Sequence, residues 1–504
     1  MSDSPPDGNF QHSAENEKLD LSTKLAFGAG DLGTAITAMI GISYLSPFLT
    51  DVAGLNPQLA GQTQLVGKVW DAVNDPMVGV LSDRTQSSQG RRYPWMIWGA
   101  IPFGVFFFLQ WIVPHFSNND NGNQWGLFWY YTAISIFFNA FYTVVNLPYT
   151  ALTAELTQDY DERTSLNSFR FAFSIGGSIL ALIIGLVVSL VVPNNRSLQF
   201  LLIGAICAII SVLPIYWCVW GTKKRAQAIA NLHPETEQTV SIPFGQQLKI
   251  AFSNRPFLFV VGIYLCSWLA VQLTAGIIPY FVTSWMRLPQ WHISSVLLAV
   301  QGTAMSMLFV WSAISKRVGK QAVYYMGMTL WIIAQVGLFF LKPDQVVLMY
   351  CLAVLAGFGV STAYLIPWSM LPDVIELDEL TTGQRREGLF YSFMVFLQKI
   401  CLGLAVNLVL QRLGAAGYIK PTPEIPVPTQ PDSVLEVIRV SIAPLPAAAL
   451  VCGLVLAYFY PITREMHAEI LLKLQERRKR QGIGDRGQGG QGGQGRQGKG
   501  ENDN

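Results

Sequence analysis

Long apolar stretches separated by short polar segments fill the chain from residue 24 to residue 461. A helix that crosses a lipid bilayer needs about 20 mostly apolar residues. Twelve stretches reach that length: 24–49, 59–82, 95–115, 125–150, 166–192, 198–220, 256–286, 290–315, 321–341, 345–372, 389–412 and 438–461. The pattern predicts an all-α membrane protein with twelve transmembrane helices.

The longest polar break between these stretches covers residues 221–255 and divides them into two groups of six. We therefore predict an N-terminal six-helix bundle over 23–220, a cytoplasmic linker over 221–255 and a C-terminal six-helix bundle over 256–463. The polar start, 1–22, is expected to be a disordered arm. The end, 464–504, looks helical after Arg464 and then holds a basic run. From Gln481 onward it consists of Gly/Gln repeats that cannot bury a core, which predicts a disordered tail.

The distribution of Lys and Arg predicts the orientation, because loops rich in these residues stay on the cytoplasmic side. The loops after even-numbered stretches hold fourteen: Arg84, Arg91, Arg92, Arg163, Lys223, Lys224, Arg225, Lys249, Arg255, Lys316, Arg317, Lys320, Arg385 and Arg386. The loops after odd-numbered stretches hold five: Arg196, Arg287, Lys342, Arg412 and Lys420. We expect the even-numbered loops and both termini to face the cytoplasm, with the helices in the plasma (inner) membrane.

Composition agrees with this class, since only 13% of the residues are charged, against roughly 25% in soluble domains. The net charge of +2 gives no indication of nucleic acid binding. The six cysteines form no CxxC pair, which argues against a metal site or a disulfide framework. Because the sequence also contains no Walker loop and no HExxH motif, we predict that the chain is not an enzyme and has no cofactor.

Two carboxylates interrupt the second apolar stretch. Asp71 and Asp75 are four residues apart, so a helix presents them on one side, about 40° and one turn apart. Charged side chains within a membrane are costly and usually face a bundle interior or a water-filled cavity. Together with Asn74 they offer the oxygen ligands that hard cations prefer, and two close carboxylates can instead share a proton. The alternative is a structural ion pair with Lys68.

The second stretch ends in the sequence GVLSDR, residues 79–84, and GRR follows at 90–92. This G-x-x-x-D-R…G-R-R arrangement is the pattern of the major facilitator superfamily. It implies a gate that latches neighbouring helices through Asp83, Arg84, Arg91 and Arg92. The segment 315–320 echoes it in the second half, which predicts an internal repeat.

A second group of charges follows the tenth stretch. It contains the acids Asp373 and Glu376 and the basic residues Arg385 and Arg386. Their expected place is a loop at the cytoplasmic mouth. We interpret them as switchable salt bridges between the two halves, and therefore as gating residues.

Several segments, taken in order, resemble the glycoside-pentoside-hexuronide:cation symporters, the family of melibiose permease. They are Lys24–Asp31, Trp70–Pro76, Asn146–Leu152, Asp161–Thr164, Phe169–Arg170, Pro372–Glu376, Gly383–Gly388 and Lys399. The resemblance covers nearly the whole membrane region and implies the major facilitator fold. It also implies a monomer in a lipid bilayer that carries a sugar or glycoside together with Na⁺ or H⁺, by alternating access, with an ion gradient as the energy source.

The same resemblance implies roles for individual residues. The cation site is expected at Asp71, Asp75, Asn74 and Thr143. The substrate site is expected at Tyr142, Asn146, Thr150, Arg170 and Tyr364. Lys399 in the eleventh stretch is expected to couple the two sites. An unoccupied carboxylate pair is expected to resist occlusion, because burying unpaired charge is costly.

The sequence departs from melibiose permease in the sugar-binding half. One sugar-binding aspartate of that protein corresponds to a position near Ala35 here, a second corresponds to Asn146, and a covering aromatic residue is replaced by Thr150. Melibiose is therefore not the expected substrate, whereas another sugar, a glucuronide or an amphiphile stays open. The animal sodium-dependent lysolipid transporters share the two acids of the second stretch, so lysolipid transport is the alternative function.

Overall fold

The computed structural model describes residues 19–85, 87, 89–157, 160–232, 252–382, 387–421, 425, 428–474 and 476. Within these ranges all regular secondary structure is helical, as predicted. The helices are α1 Leu21–Ile40, α2 Pro57–Asp83, α3 Tyr93–Leu109, α4 Asp120–Leu156, α5 Tyr160–Val191, α6 Arg196–Leu232, α7 Arg255–Tyr280, α8 Trp291–Val318, α9 Lys320–Phe340, α10 Val346–Thr382, α11 Glu387–Ala415, α12 Asp432–Ile442 and α13 Pro444–Tyr458. Wider π-helical turns, Gly41–Leu45, Phe48–Val52 and Phe281–Trp285, follow α1 and α7.

Ten helical stretches of the described chain are long and apolar enough to cross a membrane. They make the chain a multi-pass membrane protein. Helix α3 is apolar but has only 17 residues. Helix α2 falls outside the ten, and it carries Lys68, Asp71 and Asp75 in its middle. The number of twelve spans therefore stays a prediction, as does the cytoplasmic placement of the termini.

Two boundaries differ from the sequence-based expectation. Helix α6 continues to Leu232, so the first part of the predicted linker, 221–232, is helical. Helix α10 continues to Thr382, which places Asp373 and Glu376 on a helix rather than in a loop. Residues 464–474 are helical, as expected for the start of the tail, and the apolar Ile470 and Leu474 are buried against the second bundle. The rest of the predicted linker, 233–251, lies outside the described residues.

The packing of the helices repeats with a shift of six, when α12 and α13 are taken together as the twelfth helix. In the first half α1 packs against α5 and α6, α2 against α4, and α3 against α4 and α6. In the second half α7 packs against α11 and α13, α8 against α10, and α9 against α10 and α13. The two halves meet through α2 on α11 and α5 on α8, which are again equivalent pairs. The architecture is therefore two equivalent bundles from an internal repeat.

Polar contacts join the two bundles on the side of the loops that follow α1 and α11. The hydroxyls of Thr50 and Tyr280 lie 3.0 Å apart, and Tyr418 donates to Asp51 Oδ1 at 2.9 Å. Arg196 lies 3.5 Å from the other oxygen of Asp51. Burial raises the pKa of Asp51, and the Arg196 charge opposes that rise. The predicted outer side of the molecule is thus closed between the bundles.

Close helix contact at Gly33 gives a test of this packing. A Cβ at Gly33 would lie 2.1 Å from the backbone oxygen of Ser211 on α6, an atom that cannot rotate away. We expect Gly33→Ala to lower the free energy of unfolding by roughly 1–3 kcal/mol, measured by tryptophan fluorescence of the detergent-purified protein. The control is Gly302→Ala in α8, where an added Cβ meets no described atom within 4 Å. Equal losses for the two variants would contradict the packing.

Candidate functional site

Side chains from three helices meet at the two carboxylates of α2. Lys399 Nζ on α11 donates to Asp71 Oδ1 at 3.0 Å and to Asp75 Oδ2 at 2.7 Å. The hydroxyl of Thr143 on α4 lies 3.0 Å from Asp71 Oδ1 and 2.9 Å from Asp75 Oδ1. Asp71 is 1% exposed. The structure therefore brings together four of the predicted site residues, and it does so across the interface between the bundles.

The local sequence explains this arrangement. The spacing of four places both carboxylates on one side of α2, as expected from the helix geometry. Glycines allow the neighbouring helices to approach: a Cβ at Gly67 would lie 2.0 Å from Ser135 Oγ on α4. On the other flank, a Cβ at Gly403 of α11 would lie 2.9 Å from Lys68 Cβ. Both helices can thus bring polar groups close to the carboxylates.

Lys68 belongs to the same cluster. Its Nζ lies 3.7 Å from Asp71 Oδ2 and donates to Asn139 Oδ1 on α4 at 2.9 Å. The ion pair considered as an alternative to a cation site is therefore present beside Lys399, and two ammonium groups face two carboxylates. A cation that binds here must take over oxygens that lysines now contact. Asn74 donates to Ala140 O at 3.4 Å, so its amide nitrogen is directed toward the backbone of α4.

A second, partly buried ion pair joins α1 and α5. Arg170 Nε lies 3.4 Å from Asp31 Oδ2, and Thr34 donates to Asp31 Oδ1 at 3.0 Å. The Arg170 guanidinium also lies 5.7 Å from the centre of the Tyr149 ring. Asp31 was not predicted as a site residue. The sequence does indicate Asp31, because it is an acidic residue within an apolar stretch and could neutralise the positive charge of Arg170.

The other substrate candidates on α4 have different surroundings. The ring of Tyr142 packs against Phe103, with 6.1 Å between the ring centres. Thr150 donates to Leu147 O at 2.8 Å, so its hydroxyl is engaged on its own helix. Asn146 Oδ1 is buried and has no hydrogen-bond partner among the described residues. Asn146 is thus the candidate on this helix with an acceptor available to a ligand.

Tyr364 belongs to an aromatic cluster formed by α7 and α10 in the second bundle. Its ring centre lies 5.7 Å from that of Trp268, and Tyr264 lies 5.8 Å from Trp268 and 5.6 Å from Trp368. Trp268 Nε1 is buried without a hydrogen-bond partner in the described part of the chain. The sequence analysis identified only Tyr364 of this cluster. The spacing of four in both aromatic pairs is the signal that points to the rest.

Two basic residues of the predicted gate in the first bundle, Arg91 and Arg92, contact an acid at the end of α4. Arg92 Nε lies 3.2 Å and Arg91 Nη2 lies 3.3 Å from Glu155 Oε1, at the end of α4. Glu155 was missed by the sequence analysis. Arg84 is exposed at the C-terminal cap of α2, and the side chain of Asp83 lies outside the described part of the structure.

The gate of the second bundle also links neighbouring helices. Lys320 Nζ donates to both oxygens of Asp373 at 2.7 Å, and His467 on the tail helix lies 2.7 Å from Glu376 Oε2. All four residues belong to the second half, so in this conformation these contacts link helices within one bundle, and the switchable bridges between the halves stay a prediction. Asp373, Glu376 and His467 are close enough to hold a metal ion, but the Lys320 ammonium already neutralises Asp373. Arg385 and Arg386 lie outside the described residues.

The two gate pairs occupy equivalent positions. Arg92 precedes α3 and Lys320 begins α9, while Glu155 and Asp373 lie toward the ends of α4 and α10. The shift of six that relates the helices therefore also relates these ion pairs. Each holds two neighbouring helices of one bundle together.

Comparisons with known proteins agree with this architecture. A family model described as MFS/sugar transport protein matches residues 26–464. An uncharacterized symporter of Synechocystis is 48% identical over 94% of this chain and 100% of its own length. The sodium-dependent lysophosphatidylcholine symporter 1 of Mus musculus is 27% identical over 94% of this chain and 92% of its own. The solved structure of the nucleoside transporter NupG is similar in fold, with a TM-score of 0.59, 13% identity, and coverage of 87% and 99% of the two chains.

The charge pairing across the bundle interface can be tested through stability. Lys399→Gln leaves two close carboxylates without their shared ammonium, and we expect the free energy of unfolding to fall by roughly 3–5 kcal/mol. Asp75→Asn in the Lys399→Gln background should recover part of that loss, because one unpaired charge is removed. Thermal unfolding of the two single variants and the double variant measures the coupling. Strictly additive losses would contradict the pairing.

Proposed function

The chain belongs to the MFS/sugar transport protein family, and on that premise we propose that it carries a sugar or glycoside together with Na⁺ or H⁺, by alternating access. The observation that carries the proposal is the contact of Lys399, on the second bundle, with Asp71 and Asp75 on the first. The transporter works as a monomer in the plasma membrane with both termini in the cytoplasm. It needs no cofactor besides the transported ion.

The cation acts by competition with Lys399. Carboxylate oxygens and the Thr143 hydroxyl are ligands that suit a hard cation. When the cation occupies these oxygens, Lys399 loses its partners and the link between α2 and α11 changes. Substrate binding that favours the displaced lysine favours cation binding by the same free energy, since coupling between two sites is reciprocal.

In alternating access, the side of the molecule that is closed between the bundles opens while the opposite side closes. The contacts that join the bundles on the predicted outer side, Thr50 with Tyr280 and Asp51 with Tyr418, have to break when the site opens outward. The gate pairs Arg92–Glu155 and Lys320–Asp373 lie within single bundles and can persist as each bundle moves as a unit. Rocking of two repeats about a central site is the common mechanism of such folds.

Sodium-dependent lysolipid transport is the second candidate. It is favoured by the similarity to the lysophosphatidylcholine symporter of the mouse, which extends over nearly both full lengths. A polar, closed pocket would suit a sugar, whereas an apolar pocket open to the lipid would suit an acyl chain. Both candidates use the same cation site, so substrate competition separates them.

Loss of one cation-site carboxylate is expected to abolish accumulation. Asp71→Cys removes a ligand oxygen pair and leaves Lys399 with one acid, so uptake driven by a Na⁺ or pH gradient should fall to background in proteoliposomes. The assay uses a panel of glycosides and lysophosphatidylcholine, and alkalinisation of the medium identifies proton coupling. Glu469→Gln, in an exposed pair on the tail helix, is the control and should transport normally. Accumulation by Asp71→Cys at the wild-type level would refute the proposal.

Removal of the Thr143 hydroxyl should give a graded effect. Hydrogen bonds to charged groups contribute about 1.5–3 kcal/mol, so Thr143→Val should weaken the apparent affinity for the coupling ion roughly 10- to 100-fold. The measurement is uptake as a function of Na⁺ concentration and of pH. Thr150→Val is the matched control, because its hydroxyl bonds to its own helix. An unchanged ion dependence in Thr143→Val would exclude the hydroxyl as a ligand.

A further inference from the structure

The charges around the candidate site cancel before any ion binds. The acids Asp71 and Asp75 face the ammonium groups of Lys68 and Lys399. The neighbouring pair, Asp31 and Arg170, is balanced in itself. Three negative and three positive side chains therefore sum to zero in the middle of the described helices.

A coupling cation adds one positive charge to this balanced set. The result is the same for Na⁺ and for H⁺. An uncompensated charge is unfavourable where it is largely shielded from water, and the side chains of Asp71, Lys399 and Asp75 are only 2%, 17% and 23% exposed. The cost falls on Lys399 in particular, because the ion takes the oxygens that its ammonium contacts at 3.0 and 2.7 Å.

We propose that the transported substrate carries one negative charge, and that its anionic group pairs with Lys399 when the coupling ion occupies Asp71 and Asp75. This inference rests on the proposed function and names the substrate class of the same site. The substrate anion restores neutrality, and it offers the displaced ammonium a charge-assisted hydrogen bond. The ion and the substrate then each neutralise the charge that would stay uncompensated if the other bound alone.

The aromatic cluster of the second bundle lies near the depth of Lys399. Cys401, two residues after Lys399, lies 3.9 Å from Leu265 O, which places α11 beside Tyr264 on α7. Tyr264 of the aromatic cluster thus lies near the depth of Lys399, on the flank of α11 that faces α7, whereas the Lys399 side chain itself contacts α2. The cluster offers ring faces, together with Trp268 Nε1, a donor that has no hydrogen-bond partner among the described residues.

Asn146 allows the charge balance to be changed by one unit. It lies three residues from Thr143 on α4, and its buried Oδ1 has no described hydrogen-bond partner. Asn146→Asp has nearly the same shape and adds one negative charge. The sum with a bound coupling ion then becomes zero without any substrate anion. Asn146→Leu is the matched control, because it removes the amide and leaves the charge balance unchanged.

The test compares matched anionic and neutral substrates in proteoliposomes. The probes are p-nitrophenyl β-D-glucuronide against p-nitrophenyl β-D-glucoside, and lysophosphatidylglycerol against lysophosphatidylcholine. In the wild type, the anionic member of one pair should enter at least about tenfold faster, and without net charge movement on a solid-supported membrane. Asn146→Asp should reverse the preference toward the neutral member, while Asn146→Leu should keep it.

The outcomes separate the two levels of the proposal. Preferred uptake of a neutral member by the wild type, with one positive charge moved per substrate, overturns the anionic substrate and leaves ion-coupled symport intact. An unchanged preference in Asn146→Asp, in a variant that still transports, also overturns it. Absence of gradient-driven uptake for all four probes refutes the proposed function, and with it this inference. The pair that responds distinguishes a hexuronide from a lipid.

Discussion

Charged side chains in the low-dielectric interior of this molecule have to be neutralised by partners of opposite charge. The central example is the contact of Lys399 with the carboxylates of Asp71 and Asp75. Isolated charges do not persist within a membrane protein, so every buried acid needs a partner. Asp71 and Asp75 find theirs on α4, on α11 and in Lys68. Because α11 belongs to the other bundle, the same interaction that satisfies the acids also fixes how the bundles meet.

The internal repeat explains why one contact between the bundles can affect how the two halves are arranged. Equivalent helices pack in equivalent ways in both halves, and equivalent ion pairs, Arg92–Glu155 and Lys320–Asp373, hold neighbouring helices within each half. Each bundle is thus internally tied. Relative movement is therefore expected between the bundles, at the helix pairs α2–α11 and α5–α8. Lys399 lies on the first of these pairs, in contact with Asp71 and Asp75.

Local sequence patterns predicted the arrangement of side chains on a single helix. They did not predict contacts that depend on the packing of two helices. The spacing of Asp71 and Asp75 predicted a shared face, and the resemblance to known symporters implied Thr143 and Lys399. The partner of Arg170 was not predicted, because Asp31 is 139 residues away and only helix packing brings the two together. Lys68, Asp71 and Asp75 interrupt the apolar sequence of α2, and this helix falls outside the ten that are long and apolar enough to cross a membrane.

A symporter has to return empty and has to refuse to cross with the ion alone, and the lysine reconciles these demands. The sequence led us to expect that the empty site, with its unpaired acids, would resist occlusion. The structure shows the acids already paired, so the empty carrier is neutral at its centre and can reorient. With an ion alone the centre is positive and Lys399 is unpaired, which opposes occlusion. With an ion and an anionic substrate it is neutral again, so the two neutral states are the two that a coupled cycle needs.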